Sequence, residues 1–185
     1  MRAEEKLPFL RDCLAITIPE GGQVILPVGA EVYLTQAMGG SFTVYYAGRL
    51  FRVHGEDADA LGKEVPPRPK LPENADDEAI EHCVWDQLKT CYDPEIPINI
   101  VDLGLVYECL LEAVNDDKKR VYVRMTLTAP GCGMGDVLAE DVRYKVGQIP
   151  RIDQVDVDIV FDPPWSREMM SESARLESWR RSCSQ

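Results

Sequence analysis

The spacing of apolar residues changes twice along the chain. Between residues 13 and 54, short apolar runs alternate with polar turns. The runs are CLAITIP, QVILPVG, EVYLTQA, FTVYYA and LFRVHG, and EGG, MGGS and GR lie among them. Val32 with Leu34, and Val44 with Tyr46, fall on alternate positions, the period of a strand with one buried face. Five short strands in about 40 residues predict a small curled sheet or open barrel.

From residue 76 the period lengthens. Ile80, Val84, Leu88 and Cys91 recur at three- or four-residue intervals and predict a helix over 76–92. Asn74 or Asp76 is a candidate cap, and Pro94 a stop. LGLVYECLLEAV and VYVRMTLT then read as strands joined by the charged turn NDDKKR. A second helix, GDVLAEDVRYKVGQI, points Val137, Leu138, Val142, Val146 and Ile149 inward. QVDVDIVF alternates, with Val155, Val157, Ile159 and Phe161 inward. A last helix is expected from Ser166. The order α-β-β-α-β with a helical tail defines an α+β domain.

Between the two patterns lies VPPRPKLPENADD, with Pro66, Pro67, Pro69 and Pro72 close together. Proline fixes φ and removes a donor, so this stretch cannot sit inside a sheet or helix. The expected organisation is a β-rich, barrel-like N-terminal domain over 1–64, a proline-rich linker over 65–75, and the α+β domain with its tail over 76–185. An extended arm packed on a domain surface is the alternative to a free linker.

Composition narrows the function. The 185 residues carry 32 acids against 20 bases, a formal net charge of −12. That opposes a nucleic-acid partner or an anionic membrane surface. The longest apolar runs are strand-length, and MRAEEKLPFL lacks the apolar core of a signal peptide. A cytoplasmic location, with thiols kept reduced, is therefore expected. The six cysteines form no C-x-x-C pair, and the two histidines, His54 and His82, lie near no other plausible ligand in sequence. Any metal here is expected to be held loosely, or shared between subunits.

One cysteine stands apart. In TLTAPGCGMGDV, Cys132 lies between Gly131 and Gly133, where a strand is predicted to end and a helix to begin. Unpaired N–H groups at a helix start favour a thiolate, and flanking glycines let a large partner approach. Three stretches are expected to converge: the DPEIP corner with Asp93 and Glu95, the strand end with Thr126 and Thr128, and DPPW at 162–165. The nearby acids oppose ionisation of the thiol, yet they are hard ligands for iron beside a soft sulfur. Thr128 could bond the loop or hold a water; plain strand packing is the other reading of both threonines. Met169 and Met170 read as packing and Trp165 as an anchor for the tail.

DPEIP, then VDLGLV, then TLTAPGC with a helix behind it, resembles the metal–sulfur cluster assembly domain family that includes PaaD-like proteins. The resemblance covers about residues 76 to 165. IPEGG, LPVG and LTQAMGGSFTV look like the extra domain of its SufT-type members. So does Gly133, where many relatives outside that subgroup carry proline. The resemblance implies an auxiliary factor in maturing iron–sulfur proteins in the cytosol, not an enzyme, with Cys132 as its functional thiol. The family's acidic corner maps onto Asp93 and Glu95 and its strand threonine onto Thr128; Ala129 stands where some relatives have a second threonine.

The cargo so implied is iron or an iron–sulfur cluster, held transiently. The implied partners are scaffold or client apoproteins. One cysteine cannot fill four ligand positions, so a homodimer, a client thiol or a small-molecule thiol must share the load. A non-catalytic adaptor is the alternative. An enzyme with Cys132 as nucleophile ranks lower, since neither histidine is predicted beside it.

Overall fold

The computed structural model describes residues 5–93, 96–130 and 133–182. The chain divides into two compact units, 1–67 and 68–185. The fold is mixed α+β.

In the first unit the strands are β1 (Glu5–Pro8), β2 (Cys13–Ile18), β3 (Gln23–Leu26), β4 (Glu31–Met38), β5 (Ser41–Tyr46) and β6 (Arg49–Val53). They form one antiparallel sheet in the order β1-β4-β5-β6-β2-β3, with β1 and β3 at its edges. β1 escapes the sequence pattern because EKLP is short and offers little alternation. Its proline lies at the end of an edge strand, where a missing donor is tolerated. Cys13, Ala15, Leu26, Val32, Val44 and Val53 fill the core of this unit. On the other side Tyr33 pairs with Tyr45, and Tyr45 with Leu50, in an exposed cross-strand row.

The second unit contains α1 (Asp77–Leu88), β7 (Val106–Ala113), β8 (Lys119–Met125), α2 (Gly135–Gly147), β9 (Ile152–Ile159) and α3 (Glu172–Ser182). The sheet order is β7-β8-β9, antiparallel then parallel, so β8 is central and α2 is the crossover to β9. Ile80, Val84 and Leu88 from α1 join Leu138, Val142 and Val146 from α2 over Val121, Val123 and Met125. Asp76 caps α1, accepting a hydrogen bond from the Ala79 N–H at 2.9 Å.

Several boundaries differ from the pattern: β7 begins at Val106 rather than Leu103, β8 ends at Met125 rather than Thr128, and α2 ends at Gly147 rather than Ile149. α1 stops at Leu88, well before Pro94. Thr90 Oγ1 donates to the Gln87 carbonyl at 2.7 Å, and the chain turns there to bury Cys91. β9 stops at Ile159, so Phe161 does not face inward; it is 45% exposed, just before Pro163 and Pro164. Val160 N–H still donates to the Met125 carbonyl at 2.8 Å. After Ser166 comes only a 3-10 turn, Arg167–Met169, and Met170 is extended, so α3 begins at Glu172. Met170 and Ala174 enter the core, which ties the tail to this unit.

Residues 65–72 have no regular secondary structure. Leu71 packs against the core of the second unit, and Ala75 is buried in it. Arg151 Nη1 donates to the Ala75 carbonyl at 2.7 Å.

Candidate functional site

The site is built at the end of the sheet where β8 stops. A series of backbone hydrogen bonds connects its parts. Ile100 N–H donates to the Cys91 carbonyl at 2.9 Å, Leu105 N–H to Ile100 at 2.9 Å, and Thr126 N–H to Leu105 at 2.8 Å. The acidic corner, the VDLG turn and the strand end are thus stitched side by side. The segment after β9 joins them. Tyr107 Oη donates to the Pro163 carbonyl at 2.7 Å, and Trp165 Nε1 to the Leu103 carbonyl at 2.7 Å. Ser171 N–H donates to the Asp102 carbonyl at 2.8 Å.

Asp93 is buried in that corner, and its Oδ1 accepts from the Ile96 N–H at 2.9 Å. This Asx turn fixes a carboxylate at the base of the corner. Thr126 is 0% exposed, and its Oγ1 has no hydrogen-bond partner among the described residues. Thr128 is half-buried in the bend that follows. Gly133 is exposed, directly before Met134 at the start of α2. Cys132, Gly131 and Glu95 lie outside the described residues.

α2 has an unusual start. Its N-cap is Met134, which makes no side-chain cap hydrogen bond. Serine, threonine, aspartate or asparagine would normally supply an oxygen for the first-turn N–H groups. Without one, the positive end of the helix favours an anion brought by another group. Cys132 precedes Met134 by two positions in the sequence. Asp136, exposed in the first turn, partly serves the same field.

The other described thiols are poorly suited to bind anything at neutral pH. Burial pushes the Cys13 thiol up to about 11. Burial, with Glu81 nearby, pushes Cys109 up to about 11. Cys83 is raised by burial and then by Asp86. Cys91 is buried. Among the described residues no group of three or more His, Cys, Asp or Glu converges. His82 lies exposed on α1, 3.2 Å from Asp86. Met169 rests its sulfur 3.7 Å from Tyr107 Oη, a packing contact.

Some positioning residues were not anticipated. Asn99 Nδ2 donates to Asp102 Oδ2 at 2.6 Å, and Asp102 N–H returns a bond to Asn99 Oδ1 at 2.9 Å, closing the VDLG turn. Gly104 has φ 71°, and a side chain there would strike the Met169 carbonyl. A Cβ on Gly135 would lie 3.0 Å from Leu127 Cδ1 and 3.2 Å from Ile159 Cδ1, so glycine lets α2 start against the strand ends. The available signals were a glycine inside an apolar run and the Asn-x-x-Asp spacing.

An α+β unit whose VDLG turn bonds both the strand end and the tail, with a helix that starts without a side-chain cap packed against the ends of β8 and β9, is the framework on which the family comparison falls. Residues 81–159 match the family model described as Iron-sulfur cluster assembly protein. A Porphyromonas gingivalis protein named Fe-S protein maturation auxiliary factor is 48% identical over 97 residues, 52% of this chain and 89% of that protein. The Staphylococcus aureus Fe-S protein maturation auxiliary factor SufT is 43% identical over 84 residues, 45% of this chain and 91% of that protein. Bacillus subtilis YitW, of the same description, is 32% identical over 100 residues, 54% of this chain and 94% of that protein. A solved DUF59 domain from Bacillus anthracis is 31% identical, covers 55% of this chain and 92% of its own, and has a TM-score of 0.47. The chain belongs to the iron–sulfur cluster assembly protein family.

Proposed function

We propose that this protein is an auxiliary factor that helps mature iron–sulfur proteins in the cytoplasm, using Cys132 to hold iron or a cluster in transit. The observation that carries the reading is the first turn of α2, which starts on Met134 with no side-chain cap, two positions after Cys132. An ionised sulfur there would complete the helix end. Asp93 and Glu95 would set the charge around the thiol or offer hard oxygen ligands, and Thr128 would steady the loop. Gly131 and Gly133 would leave room for a client to come close. Sharing the cargo with a second copy or a client thiol fits transfer better than storage, and no catalytic step is required. The names of the P. gingivalis, S. aureus and B. subtilis relatives support this pathway.

The α-β-β-α-β order of the second unit supports its reading as the assembly-type domain. The N-terminal sheet would be a separate docking module, joined through residues 65–75. Its exposed row Tyr33, Tyr45 and Leu50 favours a second reading, a pure adaptor in which Cys132 is incidental.

Substitution separates the two. Cys132→Ser is expected to fold normally and to fail to support iron–sulfur enzyme activity in a deletion strain. Full complementation by that variant would discard the carrier and leave the adaptor. Anaerobic reconstitution with iron and sulfide, followed by Mössbauer spectra of wild type and Cys132→Ser, tests binding directly. Equal iron signals in both would remove the thiol from the cargo site.

A further inference from the structure

The last helix, α3, is held from one side. Ser171 Oγ accepts a hydrogen bond from the Ala174 N–H at 3.2 Å and caps its start, while Ser171 N–H is bonded to the Asp102 carbonyl. Ala174 is buried in the core, and Ser178, one turn on, is half-buried. The opposite face carries Leu176, 55% exposed, and Trp179, 67% exposed. Three residues apart on a helix, they form one apolar patch rather than two scattered side chains. Tryptophan and arginine are the residues that most often anchor an interface, and Arg180 lies beside this pair.

The residues around the patch say what covers it. At about 3.6 residues per turn, the outward face runs Glu172, Ser173, Leu176, Trp179 and Arg180, with Leu176 directly opposite the buried side. All five are exposed. This set is complementary to its own reverse. With a second α3 laid antiparallel, Leu176 against Leu176, Glu172 comes level with the second copy's Arg180. Small Ser173 comes level with large Trp179, and both matches recur across the two-fold axis. In a parallel pair Glu172 would meet Glu172 and Arg180 would meet Arg180, which repels. A face that matches itself in this way is what a two-fold interface requires. The chain as a whole carries a net charge of −12, which pushes copies apart, so they can meet only where charge is locally balanced. This face holds one acid and one base around an apolar centre.

We infer that α3 is a self-association surface, pairing antiparallel with α3 of a second copy through Leu176 and Trp179, with Glu172 and Arg180 setting the register. The inference goes beyond the reading of Cys132 and does not depend on it. A contact made by one short helix lies below the roughly 1,200 Å² at which stable interfaces begin, so the dimer forms and separates readily.

The test is sedimentation velocity of the full chain, kept reduced and free of added metal, from micromolar to submillimolar concentration. A reversible shift from monomer to dimer is expected. Trp179→Ala and Arg180→Glu should each weaken the dimer about tenfold. The double variant Glu172→Arg, Arg180→Glu exchanges the two charges and should return to within about twofold of wild type, which a merely sticky tryptophan would not produce. A monomer at every concentration overturns the inference and leaves the face to a different protein. So does a dimer that Trp179→Ala leaves unchanged, or a double variant no tighter than Arg180→Glu alone. Cys132→Ser should pair like wild type; loss of its dimer would mean that the thiol joins the copies and would overturn the role of α3. Complementation by Cys132→Ser is scored separately, so failure of the carrier reading and failure of the pairing are told apart.

Discussion

Gly104 shows how much a single position can carry. It sits at φ 71°, where an L side chain is strained, and Met169 closes over it. Gly104→Ala is expected to cost roughly 2 kcal/mol or more, measured by urea unfolding. Thiol ionisation gives a second prediction. Cys13 and Cys109 favour the neutral form in the fold, with values near 11 against an ordinary 9.0. The unfolded chain then loses these protons first as pH rises. Stability should hold below pH 9 and decline between 9 and 11. A Cys13→Ala, Cys109→Ala double variant should show a smaller drop in urea midpoint between pH 8 and pH 10.5. At this scale the sequence offered residue chemistry but not surroundings. Asp93 could be named from its Asp-Pro corner. The orphaned Thr126 hydroxyl could not, because alternation says nothing about hydrogen-bond partners.

The helix α2 was readable because Val137, Leu138, Val142 and Val146 at helical spacing are all buried; Ile149, also buried, lies just past its end. What the pattern hid is its charged pair. Asp141 and Lys145 are both buried, 3.1 Å apart, and Lys145 Nζ also donates to the Thr90 carbonyl at 2.6 Å. This link fastens α2 to the end of α1. Charged residues at i and i+4 normally signal an exposed face, so only tertiary packing could reveal them. Lys145→Ala should lose about 3–5 kcal/mol, because it leaves a buried carboxylate without its cation. Asp141→Leu with Lys145→Met should recover much of that loss in the same denaturation assay. Phe161 failed for a related reason: alternation continued by one step past the point where prolines and the last bond to β8 end the strand.

For the whole molecule, the change of period near residue 76 lies inside the second compact unit, which begins at Arg68, and the proline cluster spans the point where the two units part. The exact join was not legible, since Leu71 and Ala75 look like linker in sequence but pack into the second unit. If the units fold independently, brief trypsin treatment should cut between Lys63 and Leu71 and release a stable C-terminal fragment. A fragment that unfolds at once would mean that the two depend on each other.

The tail has its own consequence. Trp165 bonds the Leu103 carbonyl, Ser171 bonds Asp102, and Met170 and Ala174 fill space in the core. A protein shortened to end at Asp162 would keep every strand yet lose its plug. It should bind a hydrophobic dye in its native baseline, whereas the full chain should leave that baseline dark.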